Sequence, residues 1–248
     1  MNLKYLFLAS ISVFFTVQDS FGQKILDNIL KKGDLVFDVG ANIGNKTDTY
    51  LQKGAKVVCF EPQPQCVKTL RTKYRNNPNV TIEPSGLADS EGSLDLFICT
   101  NANVLSTFSH QWMTDGRFAD GGVKWDKKIT VPVYTLDQMI NKHGRPNFIK
   151  IDVEGFEYKV LKGLTLNSDY LSFEFTQEHR DNMEKCLDIL EGLGYKVFNF
   201  GIAEDEKFAL ANWVCRKDLL ARLDKTIRDR GLLFKKEFWG DIYAKFQS

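Results

Sequence analysis

Ten residues, Leu35-Val36-Phe37-Asp38-Val39-Gly40-Ala41-Asn42-Ile43-Gly44, restrict the folds open to this chain more than any other stretch. The apolar run of Leu35, Val36, Phe37 and Val39 reads as a strand covered on both faces. Gly40 and Gly44 then flank a turn in which side chains would obstruct close backbone approach. A helix starting just beyond would aim free N–H groups and its positive dipole end into that turn. A second apolar run, Lys56-Val57-Val58-Cys59-Phe60, ends in Glu61. A carboxylate about 20 residues past a glycine turn, at the end of the next strand, is placed for the two hydroxyls of a ribose. Together they predict a nucleoside pocket at the carboxyl ends of two parallel strands.

The remaining segments complete such a sheet. A short helix over Lys24–Lys31, stopped by Gly33, precedes the first strand. Helices are predicted over Asn45–Lys53 and Gln65–Arg75, the latter opened by Pro64, and a third strand over Val80–Ile82. The rhythm then changes. Leu94–Cys99 and Ile129–Tyr134 read as strands with no long helix between them, and the irregular segment Asn101–Lys128 holds His110 and Trp112. A loop of that length inside a domain is usually functional, and it is expected to form part of a substrate lid. Alternation resumes with a helix over Leu136–Lys142, a strand over Asn147–Ile151, a helix over Tyr158–Leu164 and a strand over Tyr170–Phe175. An amphipathic helix follows over Arg180–Leu193. Lys196–Phe200 and Phe208–Val214 are expected to close the sheet as an antiparallel hairpin, and 216–248 to add a basic helix and an aromatic tail. Alternating strands and helices predict an α/β fold, a parallel sheet with helices on both faces and its ligand at the strands' carboxyl ends.

Bulk properties narrow the function classes. At 248 residues the chain suits one large α/β domain. A net charge of +1 without like-charge runs gives no electrostatic case for nucleic-acid binding. Cys59, Cys66, Cys99, Cys186 and Cys215 form no C-x-x-C pair, so free thiols are expected and a zinc site is not. Residues 1–22, with Lys4 followed by the apolar run Tyr5–Val17 and the small residues Ser20 and Gly22, resemble a signal peptide or membrane anchor. The competing reading is an apolar N-terminal helix packed on the domain. This leaves localisation open, because a nucleoside cofactor argues for access to the cytoplasm. The sequon Asn45-Lys46-Thr47 lies in the predicted pocket, where a glycan would block binding.

At the end of the strand near Phe148, the run Ile149-Lys150-Ile151-Asp152-Val153-Glu154-Gly155-Phe156-Glu157 places carboxylates two residues apart before a glycine. With Asp38–Gly44, Phe60-Glu61-Pro62 and Thr135-Leu136-Asp137 in this order, the chain from about Gly33 to Val214 resembles the FkbM-type methyltransferases. The resemblance implies an S-adenosylmethionine-dependent enzyme with the class I, Rossmann-like three-layer sandwich. That fold has a mostly parallel seven-stranded sheet and a C-terminal antiparallel hairpin. It implies a methyltransferase domain over 23–215, with 1–22 and 216–248 outside it. Asp38, Gly40, Asn42 and Gly44 are then expected at the methionine and ribose part of the cofactor. Glu61 is expected at the ribose, Pro62 and Gln63 beside the adenine, Ala88 and Asp89 near the adenine, and Asp152 at the sulfonium.

The chemistry agrees with that assignment. The cofactor carries a sulfonium, an ammonium and a ribose but no phosphate, so its pocket calls for carboxylates, and Asp38, Glu61 and Asp152 supply three. Methyl transfer is an in-line displacement that needs positioning and a base for an incoming hydroxyl. Asp152 and Glu154 are the first candidates and His179, with Glu174, the second. No metal is assigned, although magnesium held by Asp152, Glu154 and Glu174 is an alternative. The expected acceptor is a hydroxyl of a sugar, lipid or small metabolite. Two rival readings remain. One is a noncatalytic domain that binds a partner through the aromatic tail. The other is a short-chain dehydrogenase, for which Tyr158 and Lys162 match Y-x-x-x-K although the glycine turn lacks the G-x-G-x-x-G pattern.

Overall fold

The computed structural model describes residues 24–115, 117–118, 122–230 and 238–247. A seven-stranded sheet in the order β3-β2-β1-β7-β8-β10-β9 forms its centre. Its strands are β1 (Leu35–Val39), β2 (Lys56–Phe60), β3 (Val80–Glu83), β7 (Phe148–Ile151), β8 (Tyr170–Thr176), β9 (Tyr195–Ile202) and β10 (Trp239–Phe246). β1 pairs in parallel with both β2 and β7, and β7 in parallel with β8. A smaller sheet, β4 (Gly86–Leu87), β6 (Lys127–Tyr134) and β5 (Gly92–Ile98), takes up the strands that interrupt the alternation.

The continuous apolar runs have a direct cause, because side chains alternate between two buried faces. Phe37 and Val39 face a core shared with Phe60, Ile149, Ile151 and Phe173. Val36, Val57, Cys59 and Phe148 face a second core on the opposite side. On the first side lie α5 (Leu136–His143), α6 (Glu157–Leu161), α7 (Arg180–Gly192) and α8 (Arg216–Asp229). On the second lie α1 (Ile25–Ile29), α2 (Asn45–Gln52) and α3 (Pro64–Lys73). The helix starts follow local chemistry: Pro64 occupies the first turn of α3, and Thr135 and Gln138 form a reciprocal capping box on α5. One further helix, α4 (His110–Asp115), lies within the long segment expected to be irregular.

The closing antiparallel pair is present, but with a different second strand. Phe208–Val214 forms no strand; it meets β9 through an isolated bridge at Phe198 and Val214, a hydrogen bond from the Ala209 N–H to the Phe200 carbonyl, and the Asn199 side chain. The sheet is completed by β10, which inserts between β8 and β9 and runs antiparallel to both. Residues expected in an aromatic tail are therefore core: Phe238, Ile242, Tyr243 and Ala244 are buried. All five cysteines are free. The signal-like segment 1–22 lies outside the described residues. Among those residues no helix is long and apolar enough to cross a membrane.

Candidate active site

The chain leaves β1, visits β2 and β3, and returns to β7 on the other side of β1. Ligands of open α/β sheets bind outside the carboxyl ends of the strands at such a reversal. A cleft of about 330 Å³ opens there, a size typical of small-molecule sites. Its walls bring together Asp38, Gly40, Asn42, Glu61, Pro62, Gln63, Asp152 and Glu154.

The glycine turn is shaped by close packing. Gly40 has φ +87°, and a Cβ built on it would lie 1.9 Å from the Asp152 carbonyl oxygen. Only glycine lets the β1 and β7 turns approach this closely. Gly44, at φ +84°, lies off the cleft wall. A Cβ there would sit 2.5 Å from the Tyr74 hydroxyl, which donates to the Gly44 carbonyl. Its role is to seat the start of α2 on α3.

Glu61 is the most completely held carboxylate of the nucleoside end. Its Oε2 accepts from the Asn42 N–H and its Oε1 from the Gln63 N–H, each at 2.8 Å. Burial pushes its pKa up to about 7, against the pull of those two N–H groups. Asp38 is raised to about 6 by burial, moderated by the Thr47 hydroxyl at 2.5 Å and the nearby Lys150. Gln63 is fixed from the far side, donating to the Asn103 carbonyl at 3.1 Å and accepting from the Ser106 hydroxyl at 2.9 Å. The long segment after β5 thus closes the cleft, adding Val104, Ser106, Thr107 and Phe108 to its wall.

Ala88 and Asp89 do not line the cleft. The residues before them, Ser85, Gly86 and Leu87, do line it. Pairing of β4 with β6 carries the chain away before Asp89, whose carboxylate meets Lys159 and Lys162 on and just after α6. The same contacts place the Tyr158–Lys162 pair: Lys162 is bound to Asp89, and Tyr158 lies under Lys185. Neither lines the cleft.

At the opposite end β7 delivers Asp152, with Lys150 beneath it. Lys150 is buried, and its Nζ lies 2.7 Å from Asp241 and 3.5 Å from Asp152. Sequence reading missed both Lys150 and Asp241. A lysine inside an apolar strand was the available signal, because a buried ammonium needs carboxylate partners. The turn beyond is rigid: Glu154 has φ +54°, and its carbonyl accepts from the Thr107 hydroxyl at 2.7 Å. Glu157 accepts from the N–H groups of Val153 and Gly155, and burial lifts its pKa to about 7. One carboxylate oxygen from each of Asp152, Glu154 and Glu174 lies within 4.8 Å of the other two, a donor set that a hard divalent cation also accepts.

His179 is not on the main cleft. It lines a small cavity of about 20 Å³ behind the Asp152 turn, shared with Glu174, Glu157 and Trp112, with room for about one water molecule. Trp112 Nε1 and His179 Nε2 are both buried there with no hydrogen-bond partner among the described residues, and the two rings lie 5.8 Å apart. His110 instead packs on Phe97.

The cleft suits the cofactor expected from the sequence. Glu61 offers its remaining lone pairs to a ribose, Pro62, Leu87 and Phe108 offer apolar surface to a purine, and the glycine turn forms no phosphate cradle. Comparison with known proteins agrees. The family model described as "Methyltransferase FkbM domain" matches residues 38–197. The hexuronic acid methyltransferase AglP of Haloferax volcanii is 25% identical over 177 residues, covering 68% of each chain. The methyltransferase sdnD of Sordaria araneosa is 28% identical over 195 residues, covering 66% of this chain and 73% of its own. Among solved structures, the precorrin-6y C5,15-methyltransferase of Geobacter metallireducens aligns with a TM-score of 0.45 at 11% identity, covering 90% of this chain and 85% of that one. With more than half of its length matched, this chain belongs to the FkbM family of S-adenosylmethionine-dependent methyltransferases.

Proposed function

We propose that this enzyme O-methylates a hydroxyl, with a sugar of the uronic-acid class as the first acceptor to test. The observation that carries the reading is the convergence of the Asp152, Glu154 and Glu174 carboxylates between the main cleft and the small cavity. Bound cofactor supplies an electrophilic methyl group. The protein must orient a hydroxyl toward it and remove the hydroxyl proton. Asp152, on the cleft wall and steadied by Lys150, is assigned as the base, with Glu154 beside it. Glu61, Gln63 and Pro62 hold the nucleoside end, and Asp38, Gly40 and Asn42 the turn beneath its sulfur side.

The small cavity, with room for about one water molecule, is assigned to an ordered water behind the acceptor. Trp112 Nε1 is a donor only, while Glu174 accepts. A water that accepts from the indole and donates to that carboxylate satisfies both, and His179 Nε2 offers a third contact. The name of the Haloferax volcanii relative supports a sugar acid as acceptor class. The test is incubation with methyl-labelled cofactor and a panel of glucuronides, galacturonides and neutral glycosides. Label that survives mild alkali is an ether on a hydroxyl, whereas label released by alkali is a carboxyl ester. Ester formation alone would refute hydroxyl methylation.

A further inference from the structure

The amino-acid end of S-adenosylmethionine carries a carboxylate and an ammonium, and the cleft must meet both charges. Four N–H groups of the glycine turn are already committed. Those of Gly40 and Ala41 donate to the Phe60 carbonyl, that of Gly44 to the Ala41 carbonyl, and that of Asn42 to Glu61. A cationic side chain on the cleft wall is the charge partner that a carboxylate calls for. Among the described residues, Lys46 and Lys150 are the cations on the cleft wall. Lys150 is locked between Asp152 and Asp241 with its side chain only 4% exposed. Lys46, in the first turn of α2, pairs instead with Glu204, which follows β9 and also lines the cleft. Their contact is 2.6 Å long, and the side chains are 43% and 44% exposed. An ion pair this open to solvent contributes little to stability, so opening it costs little.

We infer that Lys46 and Glu204 form the receptor for the methionyl zwitterion. On binding, the pair opens and each partner exchanges its protein contact for a ligand one, Lys46 taking the carboxylate and Glu204 the ammonium. Two segments distant in the chain, the start of α2 and the turn after β9, are thereby tied together through the cofactor.

Calorimetry with three nucleosides tests this without an acceptor. S-adenosylhomocysteine carries the whole zwitterion, its decarboxylated analogue keeps only the ammonium, and 5′-methylthioadenosine has neither. In the wild-type protein S-adenosylhomocysteine should bind most tightly. Lys46→Met should weaken it about ten- to hundredfold, the range for a charge-assisted hydrogen bond. The decarboxylated analogue and methylthioadenosine should change less than about twofold on this substitution, since neither engages Lys46. Glu204→Gln should weaken both ammonium-bearing ligands and leave methylthioadenosine unchanged. Retained methylthioadenosine binding shows that each variant is folded, and Lys185→Met on the remote face of α7 serves as a control. Equal loss of all three ligands in a folded Lys46→Met protein would overturn the assignment. So would unchanged S-adenosylhomocysteine affinity, including the case where only the acceptor KM rises.

Discussion

With Glu61 assigned to the ribose, as proposed above, proton binding and cofactor binding are coupled. The carboxylate must be ionised to accept two ribose hydroxyls, yet burial has raised its pKa to about 7. Affinity for S-adenosylhomocysteine is therefore expected to fall about tenfold per pH unit as pH drops below about 7, the slope of a one-proton linkage. The stability of the ligand-free protein should move the other way. Between the ordinary value of 4.5 and about 7 the folded state holds more protons at Glu61 than the unfolded chain does. Stability thus declines as pH rises through that window. Asp38, raised to about 6, adds the same trend at lower pH. Calorimetry and thermal melts from about pH 5 to 8 read both slopes, and a pH-independent affinity would refute the role of Glu61. Gly40→Ala places a methyl against the Asp152 carbonyl and is expected to cost more than about 3 kcal/mol in urea unfolding, the range of severe core and backbone strain. Asp38, Glu61 and Asp152 were legible as pocket residues because Glu61 and Asp152 each end an apolar run and Asp38 interrupts one just before the glycine turn. Ala88 and Asp89 fall outside the cleft wall because β4 pairs with β6, Gly86 meeting Val133 far along the chain.

Among the elements, β10 departs most from expectation. Its sequence, Trp239-Gly240-Asp241-Ile242-Tyr243-Ala244-Lys245-Phe246, contains the alternation of a strand. It carries no mark of lying between β8 and β9 rather than at an edge. That position has a chemical consequence, because Asp241 faces Lys150 and the C-terminal strand completes the charge balance under Asp152. Lys150→Met is expected to destabilise the protein by about 3 kcal/mol, since it leaves the half-buried Asp241 and Asp152 without their cation. The double variant Lys150→Met/Asp241→Leu should recover part of that loss. Denaturant unfolding of the two singles and the double gives the coupling energy, and strict additivity would show that the pair does not interact. The segment over 101–128 reads similarly. Its length announced a role in the cleft, but the contacts of Asn103, Ser106 and Thr107 with Gln63 and Glu154 come from docking.

For the molecule as a whole, the cleft is a junction of distant segments: the β1 turn, the end of β2, the loop after β5, the β7 turn and the turn after β9. A ligand that touches all of them opposes global unfolding. S-adenosylhomocysteine at about 100 times its Kd should add about 2.7 kcal/mol and raise the Tm by about 5–10 °C, while NAD should give no shift. A calorimetric or fluorescence melt checks this, and a shift with NAD would reopen the dehydrogenase reading. The α/β class, the glycine turn and the carboxylate at the end of β2 are written in the sequence by itself. They depend on short-range periodicity, on backbone conformations open only to glycine, and on an acidic residue at the end of a strand. The insertion of β10, the Lys150–Asp241 pair, the route past Asp89 and the cavity shared by Trp112 and His179 were decided only by the tertiary structure. Each joins residues far apart in the chain, and which of many compatible partners meet is settled by how whole layers bury their surface.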